Sequence, residues 1–330
     1  MQVVGIYALP AALEVTPSCF AKRLQAKIGS LNVRVVLPHI EWEDDRPRIT
    51  APPMDPGVAQ RFKFYIDNHR FGAWFYWGQV SKYNPSKRKI IRARLSAILL
   101  ECKLDPKRIT YSDSLHERDY PDGPDFQELF QIIDDWFEHV RTWVETVVDQ
   151  DADPIHSLLE PTSRAAGLQI LTIDGNKVSL PAIAADTTIK VSTFEPIAPS
   201  QLRTIFQLVS SGATPSDAHL LLRDSRAEWR RGRYRRAVID AGSATEITLA
   251  DFNTSVTRIS PRPGNLPTLG WYVGQRKIAY AGKLPPNIRA DLVEVRNKAI
   301  HENKLPTRAE AMAALAVAKQ VVDRLDPLLV

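Results

Sequence analysis

LVEVRNKAIHENKLPTRAEAMAAL, residues 292–315, reads as the end of one helix, a short turn and the start of another. Upstream, Pro285-Pro286 opens a segment carrying Ile288, Leu292, Val295, Ala299 and Ile300 at helical spacing, and the polar run after His301 predicts an ending there. Thr307-Arg308-Ala309-Glu310 is a capping-box pattern, which predicts a further helix with Met312, Leu315, Ala318, Val322 and Leu325 on its apolar face. Two consecutive amphipathic helices of this kind cannot bury their apolar stripes alone, so they imply a bundle.

The helical character extends towards the N-terminus. YRRAVIDAGSATEITLADF, 234–252, places Ala237, Val238, Ala241, Ala244, Ile247 and Leu249 on a broad face, with Gly232 marking a break before it. Thr214-Pro215-Ser216-Asp217 supplies a cap, an early proline and an early carboxylate for a helix with Leu220, Leu221, Ala227 and Trp229. Residues 201–210 read as a short helix, and LGWYVGQRKI as another after a proline-rich stretch. Pro196 and Pro199 place a domain boundary, so that 196–330 is an all-α domain.

Residues 1–195 read differently. VVGIYAL (3–9), LNVRVVLP (31–38), FGAWFYWGQV (71–80) and IIRARLSAILL (90–100) are β-branched or aromatic runs bounded by turn residues. EWEDD (41–45) reads as an acidic turn. A helix is predicted over 125–149, where Leu129, Ile133, Trp136, Val140, Trp143 and Val147 form one apolar seam, with Asp134 and Asp135 read as solvated. LQILTI and NKVSL about Asp174-Gly175 signal a hairpin, and DTTIKVS a further strand. The expected architecture is α+β overall: a mixed, β-containing domain over 1–195 and a helical bundle over 196–330.

The 330 residues carry a net charge of +5, and RDSRAEWRRGRYRR, 223–236, by itself contributes a net +5 from seven arginines against Asp224 and Glu228. Such a cluster is read either as a solvated helix face or as a phosphate-binding patch. Cys19 and Cys102 are far apart and lack C-x-x-C spacing, no two histidines stand three or four apart, and no P-loop or G-x-S-x-G pattern occurs. Neither a metal nor a cofactor is therefore expected. The opening residues lack a basic start and an unbroken apolar run, and no stretch has membrane-spanning length, so the reading is a cytoplasmic protein that avoids membranes.

An arginine followed five residues later by a histidine occurs twice, as Arg34…His39 and Arg296…His301. With spacings of five to seven allowed, a chain of this composition yields about two chance matches, so context must decide. The first lies on an expected strand beside Pro38; the second ends a helix of the bundle that also carries the arginine cluster. Asn297 and His301 are four apart and share a helix face, whereas Arg296 and His301 are about 140° apart around an ideal helix.

These residues resemble the HEPN domain (higher eukaryotes and prokaryotes nucleotide-binding). The matching features are R-x4-H with a polar residue after the arginine, GRYRRAVIDAGSATEITL (232–249) as an early helix ending in the acidic Glu246, and residues 292–315 as motif helix and final helix. The resemblance covers roughly 200–330. It implies a metal-independent endoribonuclease, a toxin or an antiphage or stress effector, with a composite site across a homodimer and a sensor or regulatory domain in front that answers a protein or ligand trigger.

On that resemblance His301 is the acid–base group, Arg296 the electrostatic clamp and Asn297 a positioning group, with Glu246 in support. Arg230, Arg231, Arg233 and Lys298 would hold RNA phosphates. The chemistry agrees, because RNA is cut without metal when a base takes the 2′-hydroxyl proton, an acid protonates the leaving 5′-oxygen and a cation stabilises the phosphate. The alternative is a non-catalytic HEPN-containing protein that binds RNA, a nucleotide or a protein partner.

Overall fold

The computed structural model describes residues 2–44, 46–52, 77–103, 124–148, 150, 168–172, 178–179, 195–261 and 266–328. The fold is α+β, with a β-rich N-terminal region and a helical C-terminal part. Two compact units divide the chain, the first spanning 1–144 and 152–214, the second 145–151 and 215–330.

The first unit is built on strands β1 (Gln2–Val15), β2 (Arg23–Ile28), β3 (Leu31–Val36), β4 (His39–Glu43), β5 (Arg46–Thr50), β6 (Gly78–Asn84), β7 (Lys89–Lys103), β8 (Leu168–Thr172) and β9 (Val178–Ser179). The main sheet runs β2-β3-β7-β1-β8-β9, with β6 on the same edge of β7 as β3 but at its other end, and every pairing is antiparallel. Pro10 cannot donate to a ladder, and the β1–β7 register shifts between Ala8 and Leu13, around it. Inside this sheet Glu14 of β1 faces Arg94 of β7, bonded at 2.6 Å, and accepts from Ser81 of β6 at 2.8 Å. A buried carboxylate persists there because both its oxygens are satisfied.

Helix α1 (Pro124–Val148) buries Ile133, Trp136, Val140 and Trp143 of the predicted seam, Val147 being half-buried and the Leu129 side chain outside the described residues: Trp136 packs against Phe206 of α2 (Pro199–Ser210), and Phe137 stands edge-on to Tyr7 of β1. Leu9, Leu13, Leu95 and Ile98 of the sheet meet the same helices. The seam is core. Asp134, read from sequence as solvated, is buried and accepts from the Tyr7 hydroxyl at 2.7 Å, so a long-range partner explains what helical periodicity could not.

Two further expectations change in this unit. EWEDD is mostly strand: Glu41, Trp42 and Glu43 pair with Arg48, Pro47 and Arg46, and the turn starts at Asp44, with φ +46°. Residues 199–210 belong with the first unit, because Leu202, Ile205 and Phe206 are buried there, which moves the division from 195/196 to Thr214/Pro215. Of the expected strand 71–80 the described part is a buried Trp77 followed by β6, which continues to Asn84. Residues 71–76, Asp174-Gly175 and DTTIKVS lie outside the described residues; β8 and β9, which flank that Asp-Gly, pair antiparallel as the hairpin requires.

The second unit comprises α3 (Asp217–Arg230), α4 (Tyr234–Phe252), the short α5 (Leu269–Gly274) and α6 (Arg276–Ala281), α7 (Val295–His301) and α8 (Arg308–Leu325). Central α4 is lined with small residues, among them Ala237, Ala241, Gly242 and Ala244, so α3, α7 and α8 approach its backbone closely. Gly232, at φ +77°, makes the predicted break between α3 and α4. Thr307 and Glu310 form the predicted capping box, Thr307 Oγ1 accepting from the Glu310 N–H at 3.2 Å and Glu310 accepting from the Thr307 N–H at 2.8 Å.

LGWYVGQRKI is two helices rather than one, separated at the extended Gln275. Within the last two helices two apolar positions are misjudged from sequence. Met312 is 57% exposed, because α8 turns Ala311, Ala314, Val317, Ala318, Val321 and Val322 inward, small side chains that fit the narrow space beside α4. Ile300 is exposed as well. A π-helical turn, Arg289–Glu294, runs directly into α7; its wider turn buries Leu292 and Val293 together and breaks the 3.6-residue register on which Ile300 was placed inward.

Candidate functional site

The π turn sets the azimuth of Arg296, one residue into α7. Its side chain leaves α7, crosses α4 over Gly242 and ends on Glu246, one turn further along, with Nη2 3.0 Å from Oε2. The crossing is possible only because residue 242 has no side chain: a Cβ there would lie 2.3 Å from Arg296 Cδ and 2.8 Å from Nε. Nε is buried without a hydrogen-bond partner, while the side chain as a whole keeps 18% exposure. Glu246 therefore fixes the guanidinium through one of its nitrogens.

Tyr272 lies near enough to Glu246 to be influenced by its charge. Burial pushes its phenol up from the ordinary value, and the negative charges of Glu246 and Asp251 push it the same way, so it stays protonated. It was not identified from sequence, nor was Gly242. A glycine-serine pair within an otherwise good helix former was the available signal, since glycine in a helix interior is destabilising unless something needs the space.

His301 is the last residue of α7. Lys298 accepts from the N–H groups of both Glu302 and Lys304 at 3.1 Å, and Asn303 turns the chain at φ +53°, so the helix stops immediately after the histidine, as its sequence context predicted. His301 and Asn297 are both exposed. Among the described contacts Arg296 is joined to Glu246 and not to His301, so within one chain the clamp and the acid–base candidate are held separately.

The arginine cluster is spread rather than assembled. Arg223 pairs with Asp224 at 2.7 Å, Arg226 donates to the carbonyls of Glu145 and Thr146, and Arg236 pairs with Asp240 at 2.8 Å. Arg231 and Arg233 share Glu228 at 3.0 and 3.4 Å. Arg230 is half-buried in the last turn of α3. Lys298 lies where, with Lys304, it helps keep the Glu310 carboxyl below its usual range, an effect led by the hydrogen bonds from Thr307. Arg235, outside the predicted set, donates from Nε to the Ala299 carbonyl at 3.0 Å and so ties the start of α4 to α7.

The decoy histidine has other surroundings. Arg34 pairs with Glu101 at 3.1 Å on the sheet, and His39 opens β4 with its Nε2 buried and unpartnered. Among the described residues no three His, Cys, Asp or Glu side chains converge to hold a metal ion, and no helix is long and apolar enough to cross a membrane. Comparison with protein-family models, with curated proteins and with solved structures finds no match.

Proposed function

We propose that the second unit is a metal-independent endoribonuclease of the HEPN type. The observation that carries this reading is the division of labour on α7. Arg296 is braced across Gly242 by Glu246, while Asn297 and His301, four residues apart, are presented together at an exposed helix end. A braced arginine loses little freedom when it grips a phosphate, and an exposed histidine can reach a substrate proton.

In the reaction one histidine takes the proton from a 2′-hydroxyl, the O2′–P bond forms, the P–O5′ bond breaks, and a second histidine protonates the departing O5′. Arg296 stabilises the extra negative charge on the phosphate. No water enters, and the products end in a 2′,3′-cyclic phosphate and a 5′-hydroxyl. One chain supplies a single His301, so the proposal requires a homodimer that joins two α7 ends in one site. In this proposal the first unit senses a protein or ligand trigger, and the whole serves as a toxin or an antiphage or stress effector.

A second reading has its own observation. Arg296, Arg231 and Arg233 all have carboxylate partners within the chain, as expected of cations that organise a bundle. On that reading the unit binds RNA, a nucleotide or a protein without cutting. The two separate in an assay of cleavage against protein concentration in EDTA, alongside sedimentation. The nuclease reading predicts a rate per chain that rises through dimer formation and is absent in His301→Ala. RNA that stays intact in the fully dimeric protein supports the binding reading.

A further inference from the structure

A groove of about 420 Å3 opens between the start of α4 and the loop that follows α7. One wall is cationic, formed by Arg233, Arg235 and Arg236; the other is Leu305 and Pro306, with Tyr234 between them. The charges on the first wall are incompletely matched. Arg235 bonds to a neutral carbonyl, that of Ala299. Arg233, 68% exposed, shares Glu228 with Arg231, and Arg236, 65% exposed, rests on Asp240. Leu305 is 72% exposed, an apolar side chain that no core contact accounts for, four residues after His301.

A ligand that suits both walls must carry an anion and a flat apolar body a few ångströms apart, which describes one nucleotide. The volume lies within the range of small-ligand sites and admits a single unstacked unit. Bases within a duplex are stacked and paired, and A-form RNA offers side chains only its backbone and shallow groove, so a duplex cannot fill such a pocket.

We infer that this groove seats an unpaired nucleotide of single-stranded RNA beside His301, its phosphate on Arg233 and Arg236 and its base against Leu305 and Pro306. The inference rests on the ribonuclease reading for the identity of the polymer. It selects single strands or loops over duplex and, because an aliphatic wall packs against the face of any base, imposes little sequence preference.

The test is fluorescence anisotropy on the full chain carrying His301→Ala, in EDTA, with a short single-stranded RNA, its blunt duplex and a polyglutamate chain. The single strand is expected to bind about tenfold or more tighter than the duplex. Arg233→Gln/Arg236→Gln is expected to weaken it about tenfold or more and to lower the slope of log affinity against log salt by about 0.7, one phosphate's worth. Leu305→Ser should weaken binding about fivefold or more with the slope unchanged. Both variants alter exposed side chains, and circular dichroism melting confirms that they fold.

Equal binding of duplex, polyglutamate competing as well as RNA, no RNA binding at all, or variants that bind like the parent would each overturn the groove. Failure of the nuclease reading looks different. Wild type that binds single strands through these residues without cutting keeps the groove and removes the nuclease. Wild type that cuts, with an unchanged KM in the double variant, does the reverse.

Discussion

The same spacing, an arginine five residues before a histidine, occurs once in each unit, and the two copies are treated in opposite ways. Arg34 lies on β3 and pairs across the sheet with Glu101 while 47% exposed; His39 begins the next strand with a buried ring nitrogen. Arg296 lies on α7, is braced over a glycine and is 18% exposed; His301 ends its helix in solvent. In the first unit the paired arginine is half exposed and the histidine is withdrawn, and in the second the paired arginine is largely buried and the histidine presented. Catalysis needs the second combination, since a preorganised cation loses little on binding phosphate and a proton-transfer group must reach its substrate. Spacing alone does not distinguish them; the element that carries the residues does.

The largest effect should separate the histidines. His301→Ala is expected to lower RNA cleavage by about 10²–10⁴-fold, the usual contribution of a positioned acid or base, whereas His39→Ala leaves the rate unchanged. Equal losses in both would erase the contrast. For the arginines, Arg296→Ala should reduce cleavage by about 10²–10³-fold, as when one charge-stabilising group is removed. It should also lower unfolding free energy in urea by about 1–2 kcal/mol, because a half-exposed Glu246 is left without its partner. Arg34→Ala should stay within about 0.5 kcal/mol.

Gly242→Ala sharpens the comparison, since the sheet copy has no counterpart to this crossing. Helix propensity alone would make the alanine stabilising by about 1 kcal/mol. The new methyl group must instead displace Arg296, so stability should change by less than about 1 kcal/mol while cleavage falls towards the level of Arg296→Ala. Adding Gly242→Ala to Arg296→Ala should then bring little further loss of rate, a non-additivity that a kinetic double-mutant cycle reads directly. Cleavage at the wild-type rate in Gly242→Ala would show that the path of Arg296 does not matter.

The smallest effect concerns the cap that follows the motif. Thr307→Ala should cost about 1 kcal/mol near neutral pH through loss of the capping bond. Glu310 is held below its usual range mainly by Thr307, so its share of stability is present above the ordinary carboxylate value and is lost as pH falls through the lower folded value. The gap between variant and wild type in urea denaturation should therefore narrow in acid. A gap that widened there would reverse the sign of this coupling.

Much of the helical unit was legible in the sequence because its signals are local. Thr307 and Glu310 cap each other as the pattern suggested, Gly232 breaks α3 from α4, and α4 covers 234–252 as its apolar spacing indicated. What could not be read depends on distant partners. Asp134 looked solvated until Tyr7 approached it across the sheet, and the π turn before α7 reoriented Ile300 without any breaker residue to announce it. Glu246 was singled out only through the resemblance, and its partner and the clearance at Gly242 arise only when α7 crosses α4. The groove joins residues some seventy positions apart, about the separation of Arg235 from Leu305, and no local pattern encodes it.

The measurement closest to the central claim is an end-group analysis of RNA incubated with the purified protein in EDTA. The account predicts fragments that carry 2′,3′-cyclic phosphate and 5′-hydroxyl ends, formed without metal and missing from the His301→Ala reaction. Intact RNA at every protein concentration, or fragments with other ends, would contradict it.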